Sequence, residues 1–203
     1  MIFYPKLEAT VLSLKIAEIP SKRIESLEQI IIYIEGIKAQ GETAKLNFIC
    51  THNSRRSQMA QVWAETAAAY YDIDIACYSG GVEVTEINQN TIETLRNAGF
   101  EITKEGVDNP TYLLSYDHDS KVINCFSKLY DDAANPKADF VAVMTCSEAD
   151  KNCPFISGAD LRISLLYDDP KEFDDSPLMS INYSERSAQI GAEMFFIFSK
   201  LNS

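Results

Sequence analysis

A thiol, five polar residues, a guanidinium and a hydroxyl follow one another at Cys50, Thr51, His52, Asn53, Ser54, Arg55, Arg56 and Ser57. This order suits the binding of a tetrahedral oxyanion. A loop that runs into a helix N-terminus can aim its backbone N–H groups into one small bowl. The guanidinium of Arg56 can grip two oxygens at once. Positive surroundings of this kind favour a thiolate, the reactive form of cysteine, and Ser57 can donate a hydrogen bond to that sulfur. The expectation is a nucleophile, Cys50, beneath a phosphate-like anion held by the loop residues Thr51, His52, Asn53, Ser54, Arg55 and Arg56. The spacing alone arises often by chance. An apolar run before it, a helical pattern after it and the adjacent Ser57 set it apart from a buried cysteine flanked by surface arginines.

Two further groups can act beside such a thiol. In "TCSEADKNCP", Cys146 closes the most apolar segment of the chain, and Cys153 follows after a polar stretch that can supply mobility. Asp168 and Asp169 precede Pro170. Asp before Pro is ordinary turn chemistry, but a carboxyl at that turn can protonate a leaving oxygen; Asp169 is the first choice and Asp168 the second. Zinc would need four ligands, and the chain has only His52 and His118 to add to its cysteines, so no metal and no cofactor is expected. Cys77 and Cys125 have no partner signal and read as small buried hydrophobes.

The elements that must position these groups alternate. Residues 45–50 form a strand, "SQMAQVWAETAAAYY" an amphipathic helix, "IDIACYSGG" a strand, and "NQNTIETLRNAGFEI" a helix stopped by Gly99. "DFVAVMTC" has the continuous apolar pattern of a buried parallel strand. "DLRISLLYDDP" adds a strand and a turn, and "YSERSAQIGAEMFFIFSKL" a closing helix. The expected fold is α/β, a central parallel sheet with helices on both faces. Ligands of such sheets gather at the carboxyl ends of the strands, where Cys50, Cys146 and the Asp168–Asp169 turn all fall. Residues 1–43 read as a helical N-terminal appendage, with Ser21 as N-cap and Gly36 or Gly41 as stop, and residues 44–203 as the main domain. Within it, residues 108–138 read as an insertion with a β-hairpin around "DHDS", and the "EFDD" run at 172–175 as solvated surface.

Composition limits the partners. Of 203 residues, 46% are hydrophobic and 24% charged, which is ordinary for a globular domain, while the net charge of -12 is unsuited to nucleic acid. No apolar run reaches the length of about 20 residues that spans a membrane. The five cysteines form an odd set without a signal-peptide pattern, which reads as a cytoplasmic thiol protein.

"CTHNSRRSQMA" resembles the phosphate loop shared by low-molecular-weight protein tyrosine phosphatases and thioredoxin-coupled arsenate reductases, with "RSQMA" leaning to the reductases. The resemblance continues through "YSGGVEVTEINQNTIETLRNAGFEI", "VMTCSEADKNCP" and "YDDP". It implies a low-molecular-weight phosphatase-like fold, Cys50 as nucleophile, Arg56 as anion clamp, Ser57 as thiolate partner, Asn53 as loop-shaping residue and Asp169 as general acid. For the reductases it implies a cascade in which Cys50 attacks arsenate, Cys146 attacks Cys50, and Cys153 attacks Cys146, leaving a disulfide for a thioredoxin-like reductant. For the phosphatases it implies phosphotyrosine hydrolysis through a cysteinyl-phosphate. Those phosphatases tend to place aromatic residues after the Asp-Pro turn, where this chain has Lys171, Glu172 and Phe173. His52 stands where these families usually have Gly, Arg55 where Cys is common, and Gln61 where some reductases bind potassium through an acidic side chain; that ion is not expected here.

Overall fold

Strand β6 (Phe140–Met144) is buried at every position, and its side chains divide by parity. Val141 and Val143 enter a large core, while Phe140, Ala142 and Met144 enter a smaller one on the opposite face, as alternating side chains of a strand must. In the computed structural model, which describes residues 3–119, 122–153 and 155–201, β1 (Ala44–Cys50), β2 (Ile75–Gly81), β6 and β7 (Ala159–Ser164) form a parallel sheet in the order β2-β1-β6-β7. The central position of β1 brings its last residue, Cys50, level with Gly81 at the carboxyl rim.

The large core lies under α1 (Pro5–Lys15), α2 (Ser21–Ala39), α3 (Arg56–Tyr70), α4 (Gln89–Ala98) and α6 (Met179–Leu201). Helix α6 packs on the other four. Leu7, Val11 and Leu14 of α1 and Leu27, Ile30 and Ile34 of α2 share one cluster with Phe48 and Trp63. Each such buried side chain contributes about 1.5–3 kcal/mol. The opposite face carries the short α5 (Ser147–Asn152), Ile156 beyond it, and the chain around Val82 and Tyr130. No helix among the described residues is long and apolar enough to cross a membrane.

The structure departs from the sequence expectations in three places. The N-terminal segment is helical, as expected, but holds two helices where one was read: Pro5 opens α1, where a missing N–H costs nothing, and Gly99, in the left-handed region at φ 115°, gives it room, because a Cβ there would lie 2.3 Å from the Leu7 nitrogen. Ser21 does not cap α2; Pro20 holds the cap position without a side-chain bond, Ser21 is the first helical residue, and the helix ends at Ala39, beyond Gly36 and before Gly41. Between α4 and the hairpin, β3 (Glu101–Glu105) joins β4 (Thr111–Ser115) and β5 (Ile123–Cys125) in an antiparallel sheet. Most of β3 is exposed, so it carried no apolar alternation to read. The tip residues Ser120 and Lys121, and Pro154 after Cys153, lie outside the described residues.

After β5 the chain returns to the main sheet. Gly81 donates to the Lys128 carbonyl at 2.8 Å and accepts from the Tyr130 N–H at 2.9 Å. This close approach depends on Gly80, where a Cβ would lie 2.3 Å from Tyr130 Cα. Gly80→Ala is therefore expected to lower unfolding stability by about 1–3 kcal/mol, read as a lower urea midpoint at unchanged slope. A midpoint equal to that of the parent would mean the return segment can move away at no cost.

Candidate functional site

The cup at the end of β1 is shaped by Asn53, whose φ of 47° lies in the left-handed region that Asn tolerates better than most residues. That turn aims the Asn53 N–H at Cys50 Sγ, 3.2 Å away. The Asn53 amide donates to Ser57 Oγ at 2.9 Å, which leaves the Ser57 hydrogen free to point at Cys50 Sγ, also 2.9 Å away. The sulfur thus faces two donors suited to a negative charge. Asn53 Oδ1 accepts from the Lys128 N–H at 3.1 Å, and its carbonyl accepts from Gln58 Nε2 at 3.0 Å. The outer loop is pinned by Ser54, which donates to the Glu86 carbonyl at 2.6 Å and accepts from the Asn88 N–H at 3.0 Å.

Helix α3 starts at Arg56 with no side-chain cap. Its first N–H groups therefore remain available at the positive end of a helix. The Arg56 side chain is buried; it donates to the Tyr167 carbonyl at 2.9 Å and to Asp169 Oδ2 at 2.5 Å. Asp169 Oδ1 accepts from the Lys171 N–H at 3.1 Å. Cys50, His52, Ser54, Arg55, Arg56 and Asp169 line one small cavity. Asp168 turns outward to Arg186 at 3.1 Å with its side chain 91% exposed, which separates the two acids: only Asp169 faces the cup.

The backbone that carries Asp169 is braced from the N-terminal helices. Arg23 of α2 meets Glu193 of α6 through both oxygens at 2.8 Å, donates to the Leu166 carbonyl at 2.7 Å, and lies 4.8 Å over the Tyr167 ring. The Tyr167 hydroxyl donates to the same Glu193 at 2.7 Å. Burial, with Glu193 alongside, pushes the Tyr167 hydroxyl well above its ordinary range, so it stays a donor. The peptide that holds Arg56 is thus fixed by an ion pair between α2 and α6, two helices outside the loop itself.

Several expected residues take other surroundings. His52 lies outside the left-handed region; the permissive position is its neighbour Asn53, which is why a bulky residue is tolerated there. Its ring faces Glu83 at 3.4 Å and its carbonyl accepts from Ser127 at 2.9 Å. Arg55, expected among the anion-binding groups, lines the cup, but its guanidinium is taken up by Tyr183 at 2.6 Å and Asp174 at 3.0 Å. Asp174 belongs to the run read as solvated surface; its side chain is instead 25% exposed and tied to Arg55 and Tyr183. Gln61 bridges Ser79 and Glu65.

Cys146 is fully buried at the start of α5, in one cluster with Cys50, and Cys153, partly exposed, follows the helix. Thr51 links the two regions: its hydroxyl lies 3.4 Å from Cys146 Sγ and donates to Glu148 at 3.3 Å. The stretch between the two cysteines, expected as a mobile segment, is helical, and Arg162 holds it through Asp150 Oδ1 at 2.8 Å and the Cys153 carbonyl at 3.1 Å. Cys77 and Cys125 are buried in the large core. Burial pushes the Cys125 thiol up to about 12 and Cys77 well above its ordinary value. Sequence reading missed Arg23, Lys128, Tyr183 and Glu193, which reach the site from distant segments with no local motif.

Residues 45–112 match the family model described as low molecular weight phosphotyrosine protein phosphatase. Over 123 residues, 61% of this chain, the sequence is 32% identical to arsenate reductase 2 of Staphylococcus epidermidis, of which 76% is covered. The fold is similar to the crystal structure of a YwlE mutant from Bacillus subtilis, with a TM-score of 0.53 and 13% identity over 79% of this chain and 100% of that one. It is also similar to a low molecular weight phosphotyrosine phosphatase from Vibrio cholerae O395, with a TM-score of 0.52 and 12% identity over 78% and 95%.

Two outcomes follow from this geometry. Arg23→Ala leaves Glu193 buried without its charge partner and should cost about 3–5 kcal/mol of stability, measured by urea unfolding; a loss below about 1 kcal/mol would show the pair to be incidental. Both thiols are buried, and burial pushes both above the range in which they would ionise at pH 8. Iodoacetamide should therefore label Cys77 and Cys125 only once urea unfolds the chain, as read by peptide mass spectrometry, and labelling of either in the native protein contradicts their packed environment.

Proposed function

The chain belongs to the family of arsenate reductases and low-molecular-weight protein tyrosine phosphatases, and from that membership we propose that it reduces arsenate to arsenite through Cys50, Cys146 and Cys153. In this reading the cup takes the arsenate oxygens on its backbone N–H groups and on Arg56. The Cys50 thiolate attacks arsenic, and one arsenate oxygen leaves as water, protonated with the help of Asp169. The Cys146 thiolate then attacks Cys50 Sγ. The sulfur–arsenic bond breaks, its electron pair stays on arsenic, and arsenite leaves as As(III). The two electrons come from the two sulfurs, which are now joined. Cys153 attacks Cys146 Sγ and frees Cys50, and an external dithiol of the thioredoxin type reduces the Cys146–Cys153 disulfide. The proposed compartment is the cytoplasm, where such thiols are kept reduced.

The observation that carries this reading is the second thiol. Cys146 is buried beside the cup, one hydroxyl away from the backbone next to Cys50, and the partly exposed Cys153 stands at the other end of a six-residue helix. Hydrolysis of a phosphoester uses neither. The second reading, a phosphatase acting on phosphotyrosine, is favoured by a different observation: a cleft of about 500 Å3 adjoins the cup, far more room than an arsenate ion fills.

The test is turnover with thioredoxin, its reductase and arsenate. Wild type should release arsenite continuously. Cys146→Ser should release none, and Cys153→Ser should give a single turnover and accumulate a Cys50–Cys146 disulfide detectable by mass spectrometry. Both variants should still hydrolyse an aryl phosphate. If wild type forms no arsenite yet hydrolyses phosphotyrosine readily, the phosphatase reading replaces the first.

A further inference from the structure

The cleft beside the cup shares His52, Ser54 and Arg55 with it and extends to Ile87, Tyr112, Lys104 and Lys171. Its volume, about 500 Å3, falls in the range of about 300–1,000 Å3 typical of small-molecule sites. Its floor is built by parts the sheet alone would lack: Lys104 lies on β3, and Tyr112, only 5% exposed, lies on β4.

The charges of this cleft are not balanced evenly. Arg55 is matched by Asp174, and His52 faces Glu83. Among the described residues that line the cleft, Glu86 is the one acidic side chain. Lys104 and Lys171 form no ion pair among the described residues; Lys104 lies 6.0 Å over the Tyr112 ring, and the Lys171 backbone is tied to Asp169 at the edge of the cup. In a chain of net charge -12, two unpaired ammonium groups in one cleft that opens onto an oxyanion cup form a local positive field.

We propose that the cleft binds the organic part of a phosphomonoester that carries a second anionic group, a carboxylate or a further phosphate, and that the protein hydrolyses this ester. This rests on the reading of the cup as an oxyanion site with Cys50 as nucleophile, and it adds a substrate class that arsenate does not represent. The phosphoryl group occupies the cup, the body of the leaving group lies against Tyr112 and Ile87, and the second anion sits between Lys104 and Lys171. Cys50 Sγ attacks phosphorus, and the bond to the ester oxygen breaks. That oxygen keeps the electron pair and takes a proton from Asp169. Water then attacks the cysteinyl-phosphate, Asp169 recovers its proton, and inorganic phosphate leaves with Cys50 restored as the thiolate.

The experiment compares two aryl esters of similar shape, 4-carboxyphenyl phosphate and the neutral 4-carbamoylphenyl phosphate. Wild type at low ionic strength should favour the carboxylate ester by roughly fivefold in kcat/KM, mostly through KM, as two exposed charge pairs would give. The preference should shrink in Lys104→Gln and in Lys171→Gln, disappear in the double variant, and weaken with added salt. Equal kcat/KM for the two esters in wild type, or a preference that survives the double variant, overturns the proposal. Protection of Cys50 from iodoacetamide by inorganic phosphate tells the two failures apart. Protection without hydrolysis of either ester overturns the proposal and leaves the oxyanion cup standing, and absence of both overturns the cup as well.

Discussion

The site depends on one residue holding an unusual backbone angle. Asn53 turns in the left-handed region, and every polar group it has is then used. Its N–H meets Cys50 Sγ, its amide nitrogen meets Ser57, its amide oxygen meets the Lys128 N–H, and its carbonyl meets Gln58. A strand end, a helix start and the segment returning from the small antiparallel sheet are joined through one side chain. The left-handed backbone costs of order 1–3 kcal/mol for a residue other than glycine, and four satisfied polar groups in a buried setting offset it. Glycine would adopt the angle more readily and lose the two side-chain bonds. Aspartate would keep the acceptor and lose the donor to Ser57.

The second support comes from far away in the chain. A guanidinium that grips an anion is useful only if its own position is fixed, because binding otherwise spends its energy on ordering the side chain. Arg56 is fixed by the Tyr167 carbonyl, and Tyr167 by Glu193 and Arg23. The N-terminal helices therefore do more than cover apolar surface. Removing them would take away Arg23, the charge partner of Glu193 and the cation over the Tyr167 ring.

The parallel sheet, the cup and the turn bearing Asp169 were legible because each leaves a local mark: apolar strand runs, a thiol and guanidinium at fixed spacing, an Asp-Pro step. Other features leave none. Strand β3 exposes most of its residues and exists by pairing with β4, so its sequence carries no period. Asp174 sits in an acidic run, and only the fold shows that Tyr183 and Arg55 lie against it. Arg23 and Glu193 are separated by 170 positions, and nothing in either neighbourhood announces the other. Short-range chemistry is written in spacing, whereas long-range pairing is decided by which helices share a core.

The proposed thiol relay imposes a conflict that the structure makes concrete. Cys146 and Cys153 flank α5, and seven helical steps at 1.5 Å separate their Cα atoms by about 10 Å, beyond the roughly 4.4–6.8 Å that a disulfide spans. The helix must therefore unwind for Cys153 to reach Cys146. Six residues form too short a helix to be stable alone, so the barrier lies in what braces it: Arg162 on Asp150 and on the Cys153 carbonyl, and Ser164 on the same Asp150 at 2.6 Å. A brace of exposed and half-buried hydrogen bonds suits this task. It keeps Cys146 packed against the cup while substrate is bound, and it releases for far less than the cost of opening a core helix. In this reading β7, which supplies Arg162 and Ser164 and lies beside β6, couples the sheet edge to the moving thiol.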